Sequence, residues 1–166
     1  HGEYSGYASK VKQILERYTP IVRTASIDEY FLDFTQCEGM YRVPEDADGD
    51  ATIERVVREM CQIIKTEVGL PASAGIGTAR PIAKMASGVA KPAGVRMVRA
   101  GEERAFLEPL PCRKWPGIGP VAEAKLLEAG INTLGDLLAV PEESQHSGLA
   151  ESVRRVVTGE APSTLG

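Results

Sequence analysis

Two short runs rich in β-branched and aromatic residues, at positions 21–27 and 30–35, stand almost end to end near the start of the chain. Such runs favour extended strands, because these side chains fit a pleated surface. Only Asp28 and Glu29 separate the runs, and so short a connection predicts a tight antiparallel hairpin. The chain is therefore restricted to folds that contain an antiparallel strand pair.

Apolar residues at three- and four-residue steps predict helices on both sides of this hairpin. The first stripe runs from Tyr4 to Tyr18, and Pro20 stops it. The second covers residues 53–64 and ends near Gly69, which suits a helix C-cap. The hairpin therefore has amphipathic neighbours that can cover a sheet.

Further along, residues 72–76 and 95–98 predict short strands on either side of a helix over residues 79–89. The resulting order of elements favours an α+β fold, a sheet covered by helices. After these strands only short helical signals remain. We therefore predict two domains, residues 1–100 and 101–166, of which the second ends in the start of a linker.

The balance of charge limits how this chain could bind a polyanion. The 166 residues are 43% hydrophobic and carry a formal net charge of −4, and neither half of the chain is basic overall. Any contact with DNA must be local, through backbone amides and a few lysines.

No apolar run approaches the roughly 20 residues that span a bilayer. The three cysteines show neither metal-ligand spacing nor a disulfide framework, which favours the cytoplasm.

Asp28 and Glu29 are unusual residues for a two-residue turn, which prefers Asn-Gly or Asp-Gly. Two adjacent carboxylates repel each other, and each then favours its neutral form. A divalent cation relieves the repulsion, and carboxylate oxygens are ligands of Mg²⁺. An isolated pair of this kind is more often a solvated charged turn, so the neighbouring residues must decide between the two interpretations.

Those neighbours, residues 26–33 (Ser-Ile-Asp-Glu-Tyr-Phe-Leu-Asp), resemble the central carboxylate motif of Y-family (translesion) DNA polymerases. The resemblance implies that Asp28 and Glu29 are catalytic metal ligands at the turn between two palm strands. Asp28 would bridge two Mg²⁺ ions, and Glu29 would hold the ion nearer the primer terminus. Two such metals stabilise the attacking and leaving oxygens of an in-line displacement. Tyr30 departs from the family, which usually has a small residue there.

The resemblance continues after the hairpin, in residues 73–77, 82–87 and 90–94. It implies that Lys91, followed by Pro92, reaches the triphosphate of the incoming nucleotide. A lysine is a compact point charge suited to phosphate, and the proline restricts the residue before it to an extended backbone. Lys84, on the helix, is either a structural residue or a contact to DNA phosphate.

Residues 115–120 (Trp-Pro-Gly-Ile-Gly-Pro) lead into a helical pattern and match the helix–hairpin–helix element of DNA-binding proteins. Glycines let the backbone approach a phosphate closely, and the amides at the start of the next helix favour its charge. The residues expected to contact DNA are Gly117, Ile118, Gly119, Val121 and Lys125. An ordinary helical hairpin with a glycine turn is the alternative. Thr133 and Asp136 resemble a capping box, and we interpret Trp115 as a core anchor.

As a whole, the resemblance implies a palm-like (ferredoxin-like) sheet with covering helices, followed by a small all-α thumb with a helix–hairpin–helix. The implied function is that of part of a DNA-directed DNA polymerase, a nucleotidyltransferase that uses two magnesium ions during damage bypass in DNA repair. The implied partners are primer–template DNA and a deoxynucleoside triphosphate, with a sliding clamp reached through segments outside this chain.

Two alternatives remain open. A catalytically inactive, polymerase-like DNA-binding or scaffold protein of the damage response would keep the fold and lose the metal site, but Asp28 and Glu29 are retained. A metal-binding Asp after an apolar strand upstream would favour the enzyme. Another palm-like enzyme, such as a nucleotide cyclase, would leave the helix–hairpin–helix unexplained, and binding to duplex DNA at low salt would separate the two.

We expect this chain to be inactive alone, because the family needs a further metal-binding Asp, a fingers domain and a C-terminal DNA-clamping domain. A primer-extension assay with Mg²⁺ and deoxynucleotides measures this. Clear extension of the primer by residues 1–166 would contradict the expectation.

Overall fold

The computed structural model describes residues 2–19, 22–26, 29–32, 41 and 43–159. The chain divides into two compact units. Of the described residues, the first unit holds those up to Ala74 together with Ser87–Arg96, and the second holds Gly75–Ala86 and those from Met97 onwards. The linear division near residue 100 that the sequence favours stays a prediction.

The first unit opens with α1 (Gly2–Glu16), β1 (Val22–Ser26) and β2 (Glu29–Leu32). The two strands pair antiparallel, with Val22 opposite Leu32, so the predicted hairpin is confirmed. The register changes between Thr24 and Ser26, and Ser26 then pairs with Glu29. Glu29, predicted to lie in the turn, is therefore the first residue of β2.

The long helix of the first unit is α2 (Gly49–Val68). Its first turn is capped by Asp48, whose Oδ1 accepts a hydrogen bond from the Ala51 amide at 2.8 Å. It ends at Gly69, whose φ of 81° is the left-handed conformation expected of a C-cap glycine. Helix α2 packs against α1. The buried apolar residues of these helices are Ile14, Leu15, Val56, Val57, Met60 and Ile64.

The carboxylate of Asp46 joins the loop before α2 to that helix. Arg55 Nε donates to Asp46 Oδ1 at 3.1 Å, and Thr52 Oγ1 donates to Oδ2 at 2.9 Å. The amide of Val43 also donates to Oδ2, at 3.2 Å. The Asp46 side chain is only 7% exposed. The hydrogen bond from Arg55 is the main reason that the pKa of Asp46 falls from 3.8 to about 2.

The next elements are β3 (Ala74–Ile76), α3 (Arg80–Ala90) and β4 (Val95–Met97), in the predicted order. The Ala74 amide donates to the Gly94 carbonyl at 2.9 Å, and the Val98 amide donates to the Ile76 carbonyl at 2.8 Å. Residue numbers therefore increase in the same direction along both strands, so β3 and β4 are parallel. Helix α3 is the crossover between them. Among the described residues, β1–β2 and β3–β4 are two separate two-stranded sheets.

The remaining elements of the second unit are α4 (Glu103–Leu107), a 3₁₀ turn (Cys112–Lys114), α5 (Pro120–Glu128), α6 (Leu134–Leu138) and α7 (Ser147–Thr158). They share one apolar core with Ile82, Met85 and Ala86 of α3. Trp115 is 6% exposed within that core, as predicted for an anchor. No helix in the described part of the chain has both the length and the apolar character needed to cross a membrane.

The Asp46 network predicts a pH-dependent stability of the first unit. The pKa of this carboxyl is about 2 when folded and 3.8 otherwise, so its contribution is complete above pH 3.8 and is lost as the pH falls towards 2. We expect Asp46→Asn to lower the urea midpoint at pH 7 and to flatten its decline between pH 4 and pH 2. Circular dichroism during urea titration measures both effects.

The control for this prediction is Glu45→Gln, which removes one charge from the exposed neighbouring position. Equal pH dependence of the Asp46→Asn and Glu45→Gln proteins would show that the network contributes nothing specific.

Candidate functional site

The glycine hairpin of the predicted helix–hairpin–helix lies in the second unit, between the 3₁₀ turn and α5. Gly117 has a φ of +99°, a conformation that side-chain-bearing residues rarely adopt. The next residue, Ile118, is 8% exposed, and its amide donates to the Trp115 carbonyl at 3.1 Å. Two buried side chains therefore hold the ends of a tight turn whose glycine faces outward.

The start of α5 carries backbone amides without acceptors. Gly119 precedes the helix, and no side chain caps it. The first amide to be bonded within this turn is that of Glu123, which donates to the Gly119 carbonyl at 2.9 Å. Among the described residues no acceptor lies on the amides of Gly119, Val121 or Ala122. Exposed amides at the positive end of a helix dipole favour an anion such as phosphate.

The side chains around these amides leave the turn accessible. Val121 is 71% exposed, and Gly119 and Lys125 are also exposed. Lys125 follows Val121 by four residues, so both lie on the same face of α5. Ile118 differs from the other predicted DNA-binding residues, because its side chain is buried and its amide is already bonded.

Sequence reasoning missed two basic residues of this region. Arg113 and Lys114 are exposed on the 3₁₀ turn that immediately precedes the hairpin. The signal in the sequence was a basic pair directly before the segment that holds the glycine turn, since such a pair is suited to phosphate. They bring positive charge to a unit that is acidic as a whole.

A groove of about 320 Å³ lies in the same unit. Its lining residues are Pro111, Cys112, Arg113, Glu123, Leu127, Ile131, Asn132 and Thr133. The Cys112 thiol donates to the Thr133 carbonyl at 3.2 Å, and burial raises the pKa of this thiol. Cys112 is therefore a protonated structural residue of the groove wall and a poor nucleophile.

The capping box predicted at the start of α6 is confirmed. The amide of Asp136 donates to Thr133 Oγ1 at 3.1 Å, and Asp136 Oδ2 accepts from the Thr133 amide at 3.1 Å. The amide of Asn132 adds a third bond, at 3.0 Å. These backbone donors, Thr133 first, lower the pKa of Asp136. The box fixes the chain that returns from α5 to the core.

The predicted metal ligands lie only partly within the described residues. Asp28 is outside them, and so is the side chain of Glu29, whose backbone begins β2. The described residues hold no group of three or more metal-ligating side chains. Strand β1 ends at Ser26 and β2 begins at Glu29, and residues 27 and 28 lie outside the described residues. Adjacent acids such as Asp28 and Glu29 have carboxylate oxygens of the kind that Mg²⁺ accepts.

The two predicted phosphate-binding lysines are exposed. Lys91 lies in the turn after α3, and the Lys91–Pro92 peptide is cis. No ion pair joins Lys91 to a carboxylate of the described residues. Lys84 lies on α3 itself, in the part of that helix that belongs to the second unit.

The chain is similar to bacterial proteins called DNA polymerase IV. It is 39% identical over 140 residues to the one from Listeria monocytogenes serotype 4b, covering 82% of this chain and 37% of that protein. It is 34% identical over 143 residues to the one from Moorella thermoacetica, covering 86% of this chain and 34% of that protein. The chain thus spans about a third of the length of these relatives.

Solved structures share the fold. The crystal structure of DinB from Sulfolobus solfataricus matches with a TM-score of 0.76 at 24% identity, over 96% of this chain and 46% of that one. The insertion ternary complex of Dbh DNA polymerase matches with a TM-score of 0.78 at 23% identity, over 97% of this chain and 46% of that one. These matches confirm the α+β fold with a helical thumb-like part that the sequence predicts.

Two family models cover the two parts of the chain. The IMS family HHH motif matches residues 100–131, which contain the glycine hairpin. The impB/mucB/samB family matches residues 1–88. That second match extends over more than half of the 166 residues and, together with the relatives above, confirms the resemblance to Y-family polymerases. The chain belongs to the impB/mucB/samB family.

Proposed function

We propose that this chain is the palm and thumb portion of a template-directed DNA polymerase of the Y-family type, which copies damaged template in the cytoplasm. The observation that carries the proposal is the set of exposed amides at the start of α5, in a chain whose sequence also has two adjacent acids, Asp28 and Glu29, where two paired strands meet. The names of the relatives support the same activity. The activity proposed is that of the longer protein.

In this proposal Asp28 and Glu29 bind two magnesium ions. The ions, when bound, supply charge that stabilises the oxygens of the transferred phosphoryl group. The two acids are adjacent in the sequence, and the backbone of Glu29 begins β2 and pairs with Ser26. This pairing fixes the backbone of Glu29 more firmly than a turn would.

Lys91 binds the triphosphate of the incoming deoxynucleotide. Its exposure and the lack of a carboxylate partner among the described residues leave its charge available to an anion. A lysine serves here as a point charge that can follow the phosphates as they move.

The hairpin of the second unit holds the duplex by its sugar–phosphate backbone. Gly117, Gly119 and Val121 supply the close approach and the amides, and Lys125 adds a charge one turn further along α5. Contacts of this kind carry no sequence information, which suits an enzyme that must move along any template. Lys84 is a second proposed phosphate contact, and a sliding clamp is a proposed partner of the longer protein.

The glycine hairpin predicts a specific loss of DNA binding in Gly117→Ala. A Cβ atom at a φ of +99° is strained, so the turn must shift and the amides lose their alignment. We expect duplex binding at low salt to weaken about tenfold, measured by fluorescence anisotropy. The matched control is Gly148→Ala on α7, where a Cβ meets no atom within 4 Å. Equal affinities of the two variants would exclude the hairpin as the DNA contact.

The metal site predicts a loss of catalysis in a polymerase that carries these residues. We expect Asp28→Asn and Glu29→Gln each to reduce primer extension on the order of 10³-fold, because metal-held charge is lost at the transition state. Chelation of magnesium should abolish extension in the unsubstituted enzyme. Lys91→Ala should instead raise the KM for the nucleotide roughly tenfold.

Glu45→Gln serves as the control, since this acid is exposed in a loop away from the hairpin sequence. Single-turnover extension rates at saturating DNA separate a loss of catalysis from a weaker affinity for the nucleotide. A fully active Asp28→Asn enzyme would refute the assignment of the metal ligands.

A further inference from the structure

An ion pair stands next to the exposed amides of the hairpin. Arg113 Nη1 lies 4.0 Å from Glu123 Oε2, with 59% and 29% of the side chains exposed. Arg113 comes from the 3₁₀ turn before the hairpin, and Glu123 comes from the first turn of α5 after it. The pair therefore bridges the two sides of the turn that is proposed to face DNA.

Glu123 places a negative charge where a phosphate is proposed to bind. It is the acidic residue of the first turn of α5, within two residues of the free amides of Val121 and Ala122. An anion close to these amides is favoured by the helix dipole and repels a second anion. A phosphate that approaches the turn consequently meets both the amides and an opposing carboxylate.

Arg113 is held only weakly by this carboxylate. The separation of 4.0 Å is longer than a hydrogen bond, and more than half of the Arg113 side chain is exposed. Exposed pairs of this kind contribute little, because water screens them. A phosphate would offer the guanidinium a charge-assisted, two-pronged hydrogen bond, which Arg113 can make only when it leaves Glu123.

We propose that Glu123 restrains the grip of the hairpin on duplex DNA, by repelling phosphate and by holding Arg113, a further phosphate contact, away from it. This inference rests on the proposed DNA-binding function of the hairpin. It concerns the strength and salt dependence of that function. The acidic residue makes the chain release DNA more readily than the glycine turn alone would.

The test compares charge-neutralising variants of the full chain by fluorescence anisotropy with a short duplex, between about 50 and 200 mM salt. Glu123→Gln should tighten binding about fivefold and steepen the dependence of log K on log salt by about one. Glu128→Gln is the matched control, because it removes the same charge from the other end of the same helix. It should change affinity by less than about twofold.

The double variant Arg113→Gln, Glu123→Gln isolates the role of the arginine. The salt dependence of the double variant should return to that of the unsubstituted chain. Its affinity for the duplex should lie between the affinities of the unsubstituted chain and of Glu123→Gln. Equal effects of Glu123→Gln and Glu128→Gln would overturn the inference, since only net charge would then matter. A steeper salt dependence that survives the loss of Arg113 would overturn it as well.

The unsubstituted chain separates this inference from the proposed function. Absence of duplex binding at the lowest salt would overturn both, whereas binding with no gain in Glu123→Gln would overturn the inference alone. Thermal unfolding of each variant shows whether the fold is retained. A lower unfolding temperature of Glu123→Gln without tighter binding would assign this residue a purely structural role at the helix start.

Discussion

The burial of two side chains, Trp115 and Ile118, is the constraint on which the glycine hairpin depends. They enclose the turn at Gly117 and anchor it to a core that is otherwise built from helices. With its ends fixed in this way, the turn presents its outer surface and the first amides of α5 to solvent. Preorganised donors of this kind avoid the cost of ordering a loop when an anion binds.

The net charge of the chain bears on the proposed contact with DNA. With a net charge of −4, attraction to DNA over long distances would be weak, and the proposed binding would come from a few donors at close range. Backbone amides suit such close contacts because they are neutral hydrogen-bond donors. The exposed basic residues Arg113, Lys114 and Lys125 concentrate positive charge around the same turn, within a surface that is otherwise acidic.

The sequence predicted element types well, because each had a strong local signal. The C-cap at Gly69, the box at Thr133 and the burial of Trp115 follow from residue chemistry within one or two turns of chain. The first and last residues of the elements were less predictable. Glu29, for example, belongs to β2 because its backbone still pairs with Ser26 beyond the register change. The ion pair between Arg113 and Glu123 could not be predicted, since it joins two short elements across a turn whose shape only the folded chain defines. The metal ligands, with Asp28 outside the described residues, stay a prediction.

The two compact units are interleaved along the chain, because residues 75–86 belong to the second unit although they precede part of the first. Ile82 and Ala86 are completely buried among helices that begin after residue 100. A crossover near residue 100 would therefore separate these side chains from the helices against which they pack. The second unit comes from two separated segments of sequence, and an exchange between relatives that takes both segments from one parent keeps this core intact.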